Sequence, residues 1–277
     1  MKSGGITTLM ARLDEDLPRI FLATFVGLFV IFMLAPIMIV VWMSFSAQNF
    51  IGFPIPAYSL RWFYRIFEYE PFINSLIVSF QVAVVSTVLA SLLAVPAALA
   101  LARSHHPIAN VIATFMVSPI SMPLIVLGFA LLFFLSQIGF GISFLGLLIA
   151  HTVVGIPYIV RTVIGVYRSQ SSDYEEAAAI LGASRWQIFR HITLPLIRPG
   201  VFAGALFAFL ISLDNLPISF FFGSPATSTL PVVLLSYTEN QFDPSIAAVS
   251  TVQMVMALVA LLIVDRIYGI KHVGAPS

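Results

Sequence analysis

Residues Ser172–Pro195 read SDYEEAAAILGASRWQIFRHITLP, a long polar, chargeable stretch set between two strongly apolar halves of the chain. Ser172 and Glu175 have the spacing of a capping box, which satisfies orphan amides at a helix start, and the carboxylates there suit the helix dipole. A first helix is therefore predicted from Asp173 to Leu181. Glu175, Glu176, Ala177, Ala178, Ile180 and Leu181 carry it, and Gly182, followed by Ala183, stands where a left-handed C-terminal cap is expected. Ser184 and Gln187 repeat the capping-box spacing, so a second helix should run through Trp186, Ile188 and Phe189 until Pro195 stops it. The stretch reads as helix, glycine hinge, helix, with an apolar and a charged side.

Outside it the chain is built for lipid. Hydrophobic residues make up 60% of the 277 and charged residues 9%, with a mean hydropathy of +1.03. A soluble domain has roughly 25% charged residues and about 45–50% apolar ones. The chain is an all-α integral membrane protein, because runs this long and uninterrupted exclude the alternation of barrel strands. Its net charge of +1 gives no reason to expect nucleic acid, and the absence of cysteine removes disulfide and thiol chemistry. Residues 1–19 mix Lys2, Arg12 and Arg19 with Asp14, Glu15 and Asp16 and lack a small-residue cleavage pattern, so Ile20 onward reads as a retained span.

A helix needs roughly 20 mostly apolar residues to cross the hydrocarbon core. Six segments qualify, at about 20–45, 72–102, 107–136, 142–166, 200–222 and 246–268, within a membrane domain of 20–270 flanked by 1–19 and 271–277. No Asp, Glu, Lys or Arg lies between Arg103 and Arg161, and the turn between the third and fourth spans is placed at Gly139, Phe140 and Gly141. Of the 13 basic residues only Arg61 and Arg65 fall in the second set of loops. The positive-inside rule therefore puts both termini, and the polar segment 172–195, in the cytoplasm.

On the outer side Tyr58, Trp62, Phe63, Tyr64, Phe67 and Tyr69 suit an interfacial helix capped by Ser59, with Arg61 and Arg65 one turn apart, serving as an anchor or a partner contact. The apolar piece Leu230–Leu235 is too short to span and is expected to be a turn of helix or a re-entrant piece. Pro36, Pro96, Pro119, Pro123, Pro157 and Pro217 lie inside spans, either as ordinary packing kinks or, for Pro119 and Pro123 with Ser118 and Ser121 beside them, in a moving or cavity-lining helix. No internal repeat of the kind found in secondary carriers is visible.

No phosphate loop, H-E-x-x-H, G-x-S-x-G or cysteine metal spacing occurs, so no catalytic residue, metal or cofactor is expected in this chain. His105 and His106 point apart and read as a turn before Pro107. His151, inside the fourth span, reads as a buried hydrogen-bonding group rather than a proton relay. Asp214 is an acidic residue deep in a span: 14 residues from Gly200 at about 1.5 Å each put it roughly 21 Å in. An Asp there costs about 2.5–3.5 kcal/mol on insertion scales, so it faces a cavity or a partner. With Ser212 and Asn215 it marks either a point on a solute path or an interhelical hydrogen bond.

Glu176, Ala177 and Ala178, three residues, Gly182, nine residues, Ile192, one residue, then Leu194 and Pro195 resemble the EAA loop of bacterial ABC-importer permeases at every defining position. Ser59 to Trp62, Ser212 to Asn215, and Gly223, Pro225 and Ser228 to Pro231 are similar to the spermidine/putrescine branch. The resemblance implies a type I importer permease with six spans in the bacterial inner membrane. It implies a second permease subunit, of a different chain in this branch, a pair of ATPase subunits that bind ATP, and an extracytoplasmic solute-binding protein. Glu175, Glu176, Ala177, Ala178, Leu181, Gly182 and Ala183 would be the ATPase-coupling positions, with Glu176 a contact to the ATPase, Ala177 and Ala178 permitting close approach, and Gly182 giving the bend of a coupling helix. The family often carries a second acidic residue where this chain has Asn215, and related branches carry other small organic solutes. An ion-coupled secondary transporter is the competing class, with only Asp214 and His151 available for a relay.

Overall fold

The computed structural model describes residues 4–170, 173–225 and 227–268; the capping role read for Ser172 and the tail 271–277 lie outside them. Among the described residues the regular elements are all helices, with one isolated bridge between Ser46 and Tyr58. Five helices are long and apolar enough to cross a membrane, and six if a bent pair counts as one span. Two compact units divide the chain, Met1–Arg65 with Asp243–Val252, and Ile66–Phe242 with Gln253–Ser277.

In the smaller unit, helix α1 (Gly4–Ser44) carries exposed Phe21, Ile31, Phe32 and Met38 along its apolar stretch. Such a surface is untenable in water and ordinary in lipid. The aromatic segment after it folds on itself at the start of helix α2 (Arg61–Glu68). Ser59 Oγ accepts from the Arg61 N–H at 3.1 Å as the expected cap. Buried Trp62 donates Nε1 to the Ser46 carbonyl at 2.7 Å, and the Arg61 guanidinium lies 4.3 Å over its ring.

The larger unit is built on α3 (Glu70–Arg103), α6 (Phe144–Arg168) and α9 (Leu194–Leu213), which pack on one another. Small residues repeat every fourth position: Ser86, Ala90, Ala94 and Ala98 on α3, and Gly200, Gly204, Ala208 and Ser212 on α9. This periodicity gives each helix a flat stripe, and without a hydrophobic drive between helices in lipid, close van der Waals approach holds them together. A Cβ on Gly204 would collide with Thr162 Oγ1 and lie 2.7 Å from Ile159 Cα, and one on Gly155 would lie 3.3 Å from both Ala208 and Ala90. A second cluster, including Val82, Leu127, Leu147, Val154, Ile218 and Phe222, joins these helices to α5 (Leu124–Gln137) and α10 (Leu216–Phe222).

Two spans read as continuous are broken, and one helix read as ending runs on. The third, expected over 107–136, is α4 (Pro107–Val117), a 3₁₀ turn Ser118–Ser121 and α5, bent by 110°. Pro119 and Pro123 remove two amide donors, and other donors take the carbonyls they strand: Ser118 Oγ reaches Phe115 O at 2.8 Å, and Met122 N reaches Pro119 O at 3.2 Å. The second helix of the polar segment does not stop at Pro195. From α8 (Arg185–Ile188) it passes through a π-helical turn, Phe189–Thr193, into α9, with Leu194 N–H bonded to Phe189 O. The turn shifts the ladder before the proline, which then occupies a first-turn position where no donor is needed. The fifth span, expected over 200–222, is interrupted at Asp214 and Asn215 between α9 and α10.

Past it, the piece expected at 230–235 is a longer helix, α11 (Leu230–Asn240). Helix α12 (Ser245–Tyr268) is the last span. We expect Gly204→Val to wedge α6 from α9 and lower the stability of the solubilised protein by about 1–3 kcal/mol, while Gly27→Ala, with nothing within 4 Å, leaves it unchanged. Thermal melting in detergent checks the pair, and equal melting of the two variants would contradict this packing.

Candidate functional site

The polar segment folds as its caps dictate. Helix α7 (Asp173–Ile180) ends in a Schellman turn, with Ala183 N bonded to Ala178 O and Gly182 N to Ala179 O, both at 3.0 Å. Gly182 has φ +85°, a conformation costly to any side chain. The Ser184–Gln187 capping box is complete, with bonds of 2.7 and 3.3 Å. Successive side chains on α7 point 100° apart, and this splits the two glutamates. Glu176 and Ala177 are exposed, whereas Glu175, Ala178 and Ala183 are half-buried. Ile180 and Leu181 are 86% and 87% exposed, and Trp186 is 65% exposed. A hollow of about 410 Å³ lies beside them between Leu181 and Ile192.

Glu175, grouped with the ATPase contacts in the sequence reading, turns instead toward its own chain. Arg103, the last residue of α3, donates Nη2 to both Glu175 oxygens at 3.0 and 3.2 Å. Thr193, in the π-helical turn, accepts from Arg103 at 3.0 Å and donates to Glu175 at 2.6 Å. Tyr167, near the end of α6, accepts from Arg103 Nε at 3.1 Å and donates to Glu175 at 3.3 Å. Burial pushes the Glu175 carboxyl up, but the hydrogen bonds from Thr193, Arg103 and Tyr167 and the Arg103 charge outweigh it and hold its pKa below the ordinary value. It is a carboxylate at neutral pH.

The second polar cluster surrounds the break in the fifth span. Pro217 lacks the N–H that would bond Leu213 O, and Gln253 Nε2 of α12 takes that carbonyl at 3.1 Å. Asn215 is buried and caps α10, its Oδ1 accepting from Ile218 N at 3.0 Å. His151, 1% exposed, spans the break: Nδ1 bonds Ser212 at 2.7 Å on one side, and Nε2 bonds Ser219 at 3.1 Å on the other. One ring nitrogen donates and the other accepts, and the rotatable hydroxyls fit either tautomer. Ser86 of α3 adds a 3.2 Å contact to Ser212. Of the three residues read as a polar point, Ser212 and Asn215 are engaged inside the helix packing, and Asp214 is exposed.

Sequence reading missed Arg103, Tyr167, Thr193, Ser86, Ser219 and Gln253. Two left a signal: Arg103 is the one charged residue between Glu70 and Arg161, and Gln253 is the one amide side chain in α12. Among the described residues no His, Asp or Glu group of metal-binding size occurs. We expect His151→Ala to cost about 2–4 kcal/mol, from two stranded hydroxyls and a cavity, read as reduced thermal stability in detergent. His151→Gln, which keeps a donor and an acceptor, should restore part of it; equal melting of His151→Ala and the parent would contradict the clamp.

Residues 90–271 match the family model described as binding-protein-dependent transport system inner membrane component. The chain is 30% identical over 237 residues to the spermidine/putrescine transport system permease protein PotC of Haemophilus influenzae, covering 86% of this chain and 91% of that one. It is 32% identical over 247 residues to the molybdenum transport system permease protein ModB of Mycobacterium tuberculosis, covering 82% and 92%. A solved bacterial ABC transporter involved in the import of the acidic polysaccharide alginate has a chain of the same fold, with TM-score 0.69 and 19% identity over 92% of this chain and 98% of that one. Apolar helices, polar loop and matched residues agree: the chain belongs to the family of inner membrane components of binding-protein-dependent transport systems, the multi-pass permeases of ABC importers.

Proposed function

We propose that residues 173–195 form the coupling loop through which cytoplasmic ATPase subunits drive this permease, with both chain termini on the same side. The observation that carries this reading is the exposure of Ile180, Leu181 and Trp186 on a segment too polar to enter the membrane core. Large apolar side chains left in water mark a protein interface. Glu176 and Ala177 share that face, Ala178 and Ala183 support it from behind, and Gly182 sets the bend. ATP is bound and hydrolysed by the partner subunits, since this chain has no phosphate loop. A second permease of different sequence completes the pathway, and an extracytoplasmic binding protein delivers the solute.

The cargo we assign is a small organic cation of polyamine type. Asp214 is an exposed carboxylate at a helix break, and in low dielectric such a group attracts a cation strongly. A molybdenum permease is as similar to this chain as a polyamine permease, so the assignment rests on Asp214 rather than on likeness. Ser212 and Asn215 flank it on the two sides of the break. An ion-coupled carrier would need a relay between ionisable groups, and both His151 nitrogens are held by serines.

In proteoliposomes holding this chain with its partner permease, ATPase and binding protein, uptake should require ATP. Uptake by this chain alone on a proton gradient would sink the reading. Leu181→Asp or Glu176→Lys should lower the co-purified ATPase about tenfold, as loss of an interface anchor does; full retention in both contradicts the docking role. Asp214→Asn should reduce uptake of a diamine roughly tenfold, and unchanged kinetics would leave Asp214 a packing residue.

A further inference from the structure

Resting on the coupling role proposed for α7, we propose that Glu175 is a positioning residue that latches the coupling helix to three membrane helices through Arg103, Tyr167 and Thr193. The geometry is that of a closed ring. The guanidinium of Arg103 meets the carboxylate directly, and each of the two hydroxyls accepts from Arg103 and donates to Glu175. A hydroxyl that accepts from a cation and donates to an anion is polarised in both directions, and hydrogen bonds to charged groups are roughly twice as strong as neutral ones. The Glu175 side chain is 22% exposed and Thr193 is fully buried, so bulk water does not replace these bonds freely.

The four residues come from four places: the end of α3, the last turn of α6, the coupling helix, and the π-helical turn that opens α9. No two of them are close enough in sequence for helix geometry alone to bring them together. Helix α7 therefore presents Glu176 outward and Glu175 inward, one carboxylate for a partner and the next for its own chain. A hollow of about 230 Å³ beside the ring, bordered by His105, Tyr167 and Arg168, leaves room for α7 to shift against α3 and α6. Without the ring a push on α7 would be absorbed there. With it, the push reaches α3 and α6 at their ends and α9 through Thr193, and α9 runs unbroken to Leu213, next to Asp214. The π-helical turn carrying Thr193 is the irregular link in that path.

The absence of native cysteine makes the test direct. Spin labels on full-length Leu92→Cys/Ala179→Cys report the separation of α3 and α7 without any ATPase present. A single narrow distance is expected in that background. It should broaden or shift by several Å when Glu175→Gln or Thr193→Val is added, and narrow again in the exchanged pair Arg103→Glu/Glu175→Arg. In the reconstituted importer Glu175→Gln should keep its ATPase yet use about tenfold more ATP per solute imported, the size of one lost charge-assisted hydrogen bond, with the exchanged pair returning most of the coupling. Unchanged distances and coupling in both single variants overturn the latch. Loss of the ATPase from Glu175→Gln with unchanged distances also overturns it, making Glu175 a docking contact. Should the parent permease bind no ATPase at all, the coupling loop falls, while the label distances still decide whether the ring holds α7.

Discussion

Hydrocarbon offers no water to a stranded carbonyl, and the helix breaks at Pro119, Pro123 and Pro217 answer that constraint. Pro119 strands Phe115 O, which Ser118 takes; Pro123 strands Pro119 O, which Met122 takes; Pro217 strands Leu213 O, which Gln253 takes from another helix. Asn215 meets the opposite need by accepting from an amide at the start of α10. The carbonyls stranded at these breaks are therefore taken up by neighbouring protein groups, and irregular backbone is tolerated where such groups complete it.

One of these repairs adjoins the His151 cluster at the end of α9. Helix α9 begins in a π-helical turn tied to the polar segment and ends at a break where an exposed carboxylate sits beside a histidine that clamps both sides. Between them lies a stripe of Gly200, Gly204, Ala208 and Ser212 packed against α6 and α3 with no spare space. A close-packed helix with little room to deform is suited to carry displacement from one end to the other. Exposed Trp186 and the exposed acid at the break thus sit near the two ends of one continuous helical run, and the face carrying Ile180 and Leu181 joins it through the Gly182 turn.

Much of this was legible in the residues, and the reason differs from place to place. The Schellman turn at Gly182 and the capping box at Ser184 follow from local spacing, because each is closed by groups within six residues. The family resemblance was legible for the same reason, as its motif is short and contiguous. Hydropathy found the spans but could not see the breaks at Asp214 and Ser118, since a proline in a membrane helix either kinks or is tolerated depending on donors from elsewhere. Pro195 misled outright: a proline normally ends a helix, and only the π-helical turn before it lets the chain continue. Glu175 looked equivalent to Glu176 in sequence, and only the fold, by bringing Arg103, Tyr167 and Thr193 to one side of α7, separates them. His151 was read as a hydrogen-bonding group because no acidic neighbour lay nearby in sequence, but its serine partners lie about 60 residues away.

Coupling depends on where the face carrying Ile180 and Leu181 lies and what covers it. A single cysteine, Ile180→Cys, in cells expressing the whole transport system measures both, carrying a photoactivatable cross-linker in one sample and left as a free thiol in another. A cross-link to an ATP-binding subunit, lost with Glu176→Lys, is expected in the first, and protection of the thiol from membrane-impermeant reagents applied outside the cell in the second. Labelling from outside, or illumination that yields no cross-link to an ATP-binding subunit, would contradict the coupling role.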